Sequence, residues 1–115
     1  GKLKSKGKTE KEKQKLILDA KALEESGAFG IVLECIYSDV SKKITDLIKI
    51  PTIGIGASIN CDGQVLVTDD ILGLTNSKIK FVKKYTNIRK IINSAVYEFK
   101  QEVKSRKYPS KKFSY

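Results

Sequence analysis

The sequence has 115 residues, enough for one domain or a piece of one, and its 40% hydrophobic content rules out a fully disordered basic tail. Lys and Arg number 23 against 13 Asp and Glu, a net +10 with no His; that excludes Ser-His-Asp and Cys-His chemistry in cis, and two cysteines without a CxxC exclude zinc. No apolar run approaches the ~20 residues that cross a bilayer, and Gly1-Lys2-Leu3-Lys4-Ser5-Lys6 has no secretory stretch, so a soluble, cytoplasmic protein is expected.

Residues 1–8 read as a basic, mobile lead-in. Thr9 with Glu12 three residues on has the form of a capping box, so a helix is predicted to start there. Leu16, Ile17, Ala20 and Leu23 keep helical spacing, and Gly27 supplies a left-handed stop. The run Ala28-Phe29-Gly30-Ile31-Val32-Leu33 is apolar on both faces and reads as a parallel strand buried by helices, ended by Glu34.

Ser38 has helix-start character, and Val40, Ile44, Leu47 and Ile48 keep helical spacing until Pro51 forbids continuation. Thr52-Ile53-Gly54-Ile55-Gly56 is a second strand, which makes a βαβ unit and an α/β class. Gln64 to Thr68 is either a strand reached by an irregular connection or a buried helical turn, because seven residues after Gly56 are too few for an ordinary parallel crossover. A short helical piece is expected around Phe81, Val82 and Tyr85. Ile88, Ile91, Ile92, Ala95, Val96, Phe99 and Val103 then trace one stripe of a long amphipathic helix. Pro109 ends the helical region, and residues 109–115 form a basic tail in which Phe113 and Tyr115, with Tyr108 just before, act as aromatic anchors.

The charge lies at the ends. Residues 1–15 and 100–115 each carry +5, whereas residues 16–99 balance ten against ten. A basic fringe around a neutral centre is a solvated surface first, and Lys outnumbers Arg 21 to 2, which argues against base readout and a nucleic-acid partner. Cys35 and Cys61 read as small buried hydrophobes of a reducing compartment.

The glycines at 54 and 56 lack the third glycine of a dinucleotide fingerprint, since position 59 is Ile, and no Gly-Lys-Ser/Thr follows. Close packing at a strand end is the simpler role for them. Glu34 is the leading candidate for chemistry, because a carboxylate at the C-terminal end of a buried parallel strand stands where α/β folds place their active sites, and partial burial there suits a general base. Asp62, Asp69 and Asp70 either join that face or cap a turn.

Several stretches together resemble the ketopantoate hydroxymethyltransferases. They are Gly7-Lys8-Thr9-Glu10, Ala22-Leu23-Glu24 with Gly27-Ala28, Ile31-Val32-Leu33-Glu34-Cys35, Ile50-Pro51-Thr52-Ile53-Gly54-Ile55-Gly56-Ala57 and Cys61-Asp62-Gly63-Gln64-Val65-Leu66-Val67. Asp70, Leu72-Gly73, Lys80-Phe81-Val82, Tyr85, Glu102-Val103 and Pro109 continue the match.

The resemblance implies an oligomeric, magnesium-dependent (β/α)₈ TIM-type barrel enzyme. It moves a one-carbon unit from 5,10-methylenetetrahydrofolate onto 3-methyl-2-oxobutanoate to give ketopantoate, with the metal chelating the 2-oxoacid and stabilising the enolate. Glu34 aligns with the family's general base.

The match covers the family's C-terminal portion. The expected fold is therefore the C-terminal part of the barrel over residues 9–108, with the first strands and their magnesium ligands absent from this chain. Such a part is expected to be inactive alone, and to need an N-terminal half-barrel chain or a homo-oligomer. The alternatives are a non-catalytic remnant or interaction module and, behind it, a basic nucleic-acid-binding protein. The sequence departs from the family's pattern at Tyr37, where relatives have Pro, at Ser58 (Gly), at Asp69 (His), at Ile79 (Pro), and over Lys111-Lys112-Phe113-Ser114-Tyr115.

Overall fold

Thr9 opens the first helix as its spacing predicts: its hydroxyl accepts the Glu12 N–H at 3.3 Å while the Glu12 carboxylate accepts the Thr9 and Lys8 N–H groups. The computed structural model describes residues 4–115, so residues 1–3 of the expected lead-in lie outside the described residues. The remainder of that lead-in is not loose. Lys6 donates its N–H to the Cys35 carbonyl at 2.8 Å and accepts from the Tyr37 N–H at 3.0 Å, and Gly7 is buried.

The chain forms two units, one built from residues up to Leu66 together with Ile79–Val82, the other from Val67–Lys78 and Lys83–Tyr115. In the first unit the order is α1 (Glu10–Glu25), β1 (Ile31–Glu34), α2 (Ser38–Leu47), β2 (Thr52–Ile55) and β3 (Gly63–Gln64). The three strands make one parallel sheet in the order β1-β2-β3, with Ile31 beside Thr52, Glu34 beside Ile55, and Gly54 beside Gln64. The βαβ unit stands as predicted. The segment after it resolves as a strand two residues long, extended by the Val65 N–H to the Gly54 carbonyl at 3.0 Å, and the connection from β2 is irregular.

β1 begins three residues later than its apolar run. Ala28 donates its N–H back to the Leu23 carbonyl at 3.1 Å, so Ala28–Gly30 complete the helix stop, and Phe29 is 94% exposed. The strand is also not buried on both faces. Ile31 and Leu33 turn toward a core of Ile17, Ala20, Ile36, Val40, Ile44, Ile48 and Cys61, where α1 and α2 cover the sheet. Alternation and register put Val32, Glu34, Ile53 and Ile55 on the other face, where Val32 is 61% exposed and Val65 is also open. The apolar composition of this face reflects a surface that these elements leave uncovered.

α2 packs beside α1 through the Lys13–Asp39 ion pair at 2.8 Å. Glu24 Oε1 accepts the Lys49 and Ile50 N–H groups, which fixes the turn that Pro51 closes.

In the second unit a single turn of helix, α3 (Thr68–Ile71), leads to the long helix α4 (Ile88–Lys104). Asn87 caps α4 by accepting the Lys90 N–H at 3.1 Å. The helix ends at Lys104, with the Ser105 N–H on the Gln101 carbonyl at 2.9 Å, several residues before Pro109. The short helix expected around Phe81, Val82 and Tyr85 does not form. Val82 makes only a turn onto the Ile79 carbonyl, and the Tyr85 N–H goes to the Ile71 carbonyl instead of to a local one, so the backbone here is spent on a turn and a tertiary bond rather than on a helix. Of the aromatic anchors, Tyr108 meets the Phe99 ring edge-on at 5.4 Å and stands 6.0 Å from Phe113. Tyr115 is fully exposed and anchors nothing.

Candidate active site

Glu34 is the last residue of β1, at the C-terminal end of the parallel sheet. Its neighbour Cys35 has φ +53°, a left-handed conformation that costs a residue with a Cβ about 1–2 kcal/mol. Two hydrogen bonds hold it there: the Cys35 N–H donates to the Ile55 carbonyl at 3.0 Å, and its own carbonyl accepts from Lys6. The chain therefore leaves the sheet sharply after Glu34, with the backbone on either side of the bend clamped.

The expected partial burial of Glu34 is not found. The residue is exposed, on the sheet face where Val32 is also exposed and Ile53 and Ile55 are half-buried. Burial pushes the Cys35 thiol above its ordinary pKa, and the adjacent Glu34 charge adds to the effect. Cys61 is buried and Cys35 half-buried, and neither is bridged.

Beside this bend the following turn is built on hydroxyls. Ser38, at the start of α2, donates to the buried Ser58 Oγ at 3.2 Å, and Ser58 Oγ also accepts the Asn60 N–H at 3.1 Å. The Ser58 side chain thus orders the loop after β2. The Tyr37 N–H makes a bond to the Lys6 carbonyl that a proline at this position could not make.

The glycines at 54 and 56 act as close-packing positions. A Cβ on Gly54 would come within 2.8 Å of Gln64 Oε1 and 3.1 Å of Cys61 Sγ, and one on Gly56, at φ +64°, would overlap the Phe81 ring.

The aspartates do other work. Asp62 Oδ2 accepts the Thr52 N–H at 2.8 Å and its hydroxyl at 3.1 Å, and these bonds, the backbone one foremost, hold its carboxyl below the usual range. Thr52 opens β2 whereas Glu34 pairs with its last residue, so Asp62 lies about 10 Å of strand away from Glu34. It is a clip for the sheet. Asp69 and Asp70 belong to the second unit and order a turn: the Asp69 carbonyl accepts the Leu74 N–H, and buried Asp70 accepts the Thr75 hydroxyl.

Among the described residues no three His, Cys, Asp or Glu side chains gather into a group able to hold a metal. These residues do not make the magnesium site that the resemblance implies. No helix among them is long and apolar enough to cross a membrane.

The place of Glu34 at the end of β1 is legible in the sequence, and the clamp behind it is not. The positive φ of Cys35 and the pairing of Lys6 have no local signature, whereas Thr52 and Asp62 were visible as residues but not as partners.

The family model described as Ketopantoate hydroxymethyltransferase matches residues 1–111. The chain is 54% identical over 112 residues to the 3-methyl-2-oxobutanoate hydroxymethyltransferase of Pelagibacter ubique (strain HTCC1062), covering 97% of this chain and 44% of that protein. The proteins of the same name from Sulfurisphaera tokodaii and Carboxydothermus hydrogenoformans are 54% and 49% identical, over 91% and 100% of this chain and 39% and 42% of their own lengths. The chain thus spans about two fifths of the length of the curated relatives it matches.

Proposed function

The chain belongs to the ketopantoate hydroxymethyltransferase family, and from that premise we propose that it supplies the base-bearing part of a (β/α)₈ barrel that transfers a hydroxymethyl group to 3-methyl-2-oxobutanoate. Glu34 is the general base. Its carboxylate takes the proton from the carbon beside the substrate's ketone, and the resulting carbanion bonds to the one-carbon unit of the second substrate, 5,10-methylenetetrahydrofolate; both bonds from that carbon to the folate nitrogens break, water supplies the oxygen of the new hydroxyl group, and tetrahydrofolate leaves.

The observation that carries this reading is the position of Glu34. It sits at the C-terminal end of a parallel strand, where such folds do their chemistry, on a face shared with Val32, Ile53 and Ile55. The clamp at Cys35 fixes the direction in which the strand presents it. A carboxylate among aliphatic side chains becomes a stronger base once that face is closed from water.

Closure needs sheet strands from beyond these 115 residues, and the length of the relatives leaves room for them. The groups that balance the carbanion's charge, magnesium included, are proposed to come from there as well.

The test is to assemble the chain with the remaining N-terminal residues of a relative and to measure ketopantoate formation. Glu34→Gln is expected to lower kcat by about 10²- to 10⁴-fold with little change in KM. Equal rates for the two proteins would remove Glu34 from the chemistry.

A further inference from the structure

The second unit contains a pocket that the proposed reaction does not use. It is an open hollow of about 510 Å³ between the polar side of α4 and the loops that precede it, walled by Lys84, Arg89 and Lys90 with Asn76, Asn93 and Tyr97. Three cations meet there and no carboxylate lines it.

The arrangement follows from the register of α4. Lys90, Asn93, Ser94 and Tyr97 recur at three- and four-residue steps and share one stripe, which Lys100, Gln101 and Lys104 continue. The two acids of the helix, Glu98 and Glu102, fall off that stripe toward the opposite side.

The facing wall is already formed. The Tyr85 N–H is bonded to the Ile71 carbonyl at 2.9 Å, the Ile88 N–H to the Leu72 carbonyl at 3.0 Å, and the Leu74 N–H to the Asp69 carbonyl at 2.9 Å. The nearby Asp70 carboxylate is buried and taken up by Thr75. A preformed hollow with concentrated positive charge and neutral amide and phenol donors suits an anion with several charges close together. The guanidinium of Arg89 can hold two oxygens at once, and the volume exceeds what inorganic phosphate fills.

We propose that this pocket binds a small molecule bearing a diphosphate or triphosphate group. Arg89, Lys90 and Lys84 hold the phosphates, and the 64% exposed Tyr97 ring offers a flat apolar surface beside them. The inference is independent of Glu34 and of the reaction proposed for it.

Titration calorimetry on the full chain, near physiological salt, tests it with pyrophosphate, ADP and citrate as probes. Pyrophosphate and ADP are expected to bind and citrate to bind at least about tenfold more weakly. Tighter binding of ADP than of pyrophosphate identifies a nucleotide as the source, and equal binding a free polyphosphate.

Arg89→Gln/Lys90→Gln should weaken both by about tenfold or more, and Lys84→Gln, which lies outside the helix, should weaken them too. Lys111→Gln/Lys112→Gln removes the same charge from the tail and should leave binding unchanged. The proposal is overturned if neither phosphate binds, if citrate binds equally well, or if the tail variant loses as much as the pocket variants.

Discussion

Cys35 shows what a single residue contributes to the candidate site. Its left-handed backbone persists because Ile55 and Lys6 bond it from two sides, and the strain is the cost of turning the chain directly after Glu34. A β-branched side chain suits that conformation least and glycine best. Cys35→Val is therefore expected to be about 1–2 kcal/mol less stable than Cys35→Gly in urea unfolding, and the reverse order would mean that the bend is not strained. Asp62 gives a second prediction at this scale. Its carboxyl is held below the ordinary range by Thr52, as Glu12 is by the Lys8 and Thr9 amides and Asp39 by Lys13. A carboxylate with a depressed folded pKa stabilises the fold fully above its unfolded value, near 4, and that contribution drains as pH falls toward the folded value. The urea midpoint should drop as pH goes from 5 toward 3. Asp62→Asn should start lower at pH 7 and fall less steeply, while an unchanged slope would place the acid sensitivity elsewhere.

Elements were legible where local signals and tertiary demands agreed. The capping box of α1, the β1-α2-β2 order, the stop before Pro51 and the stripe of α4 all follow from side-chain period and backbone chemistry, and each stands where its residues put it. The misses share a cause. The apolar residues near Phe81 look helical by spacing, yet Phe81 lies against Gly56, a partner 25 positions away that no local pattern encodes. Likewise the apolar run of β1 predicts a strand buried on both faces, whereas only the Leu33 face is covered and Val32 is open, because which face a neighbour covers is not written in the local pattern. Glu34 was legible because strand-end position is local, and its exposure was not, because burial is a property of the neighbours. The Gly56 contact is testable. Gly56→Ala should cost about 1–3 kcal/mol, since its Cβ and the Phe81 ring compete for one space and φ is positive. Combining it with Phe81→Leu, which retreats from that space, should cost less than the sum of the two single changes; strict additivity would show that the ring does not press on the glycine.

At the scale of the whole molecule the two faces of β1 have opposite fates, and one pair of substitutions separates them. Leu33 is 3% exposed and packed in the core beneath α1 and α2, whereas Val32, one residue away, is open beside Ile53 and Ile55. A soluble surface seldom leaves aliphatic side chains grouped on a bare sheet face, and an open parallel edge invites pairing with another strand. Leu33→Lys should unfold or strongly destabilise the isolated chain, by about 3 kcal/mol or more, because it buries an unpaired charge. Val32→Lys should change that stability by less than about 0.5 kcal/mol, since its side chain already meets water. Under the proposed barrel, assembly reverses the comparison for Val32. If strands from beyond these residues close over this face, the lysine is trapped in the barrel interior next to Glu34, and both co-assembly and ketopantoate formation should collapse although the chain itself remains folded. Full activity of the Val32→Lys assembly would mean that the face stays in water while the protein works, and the barrel reading would fall with it.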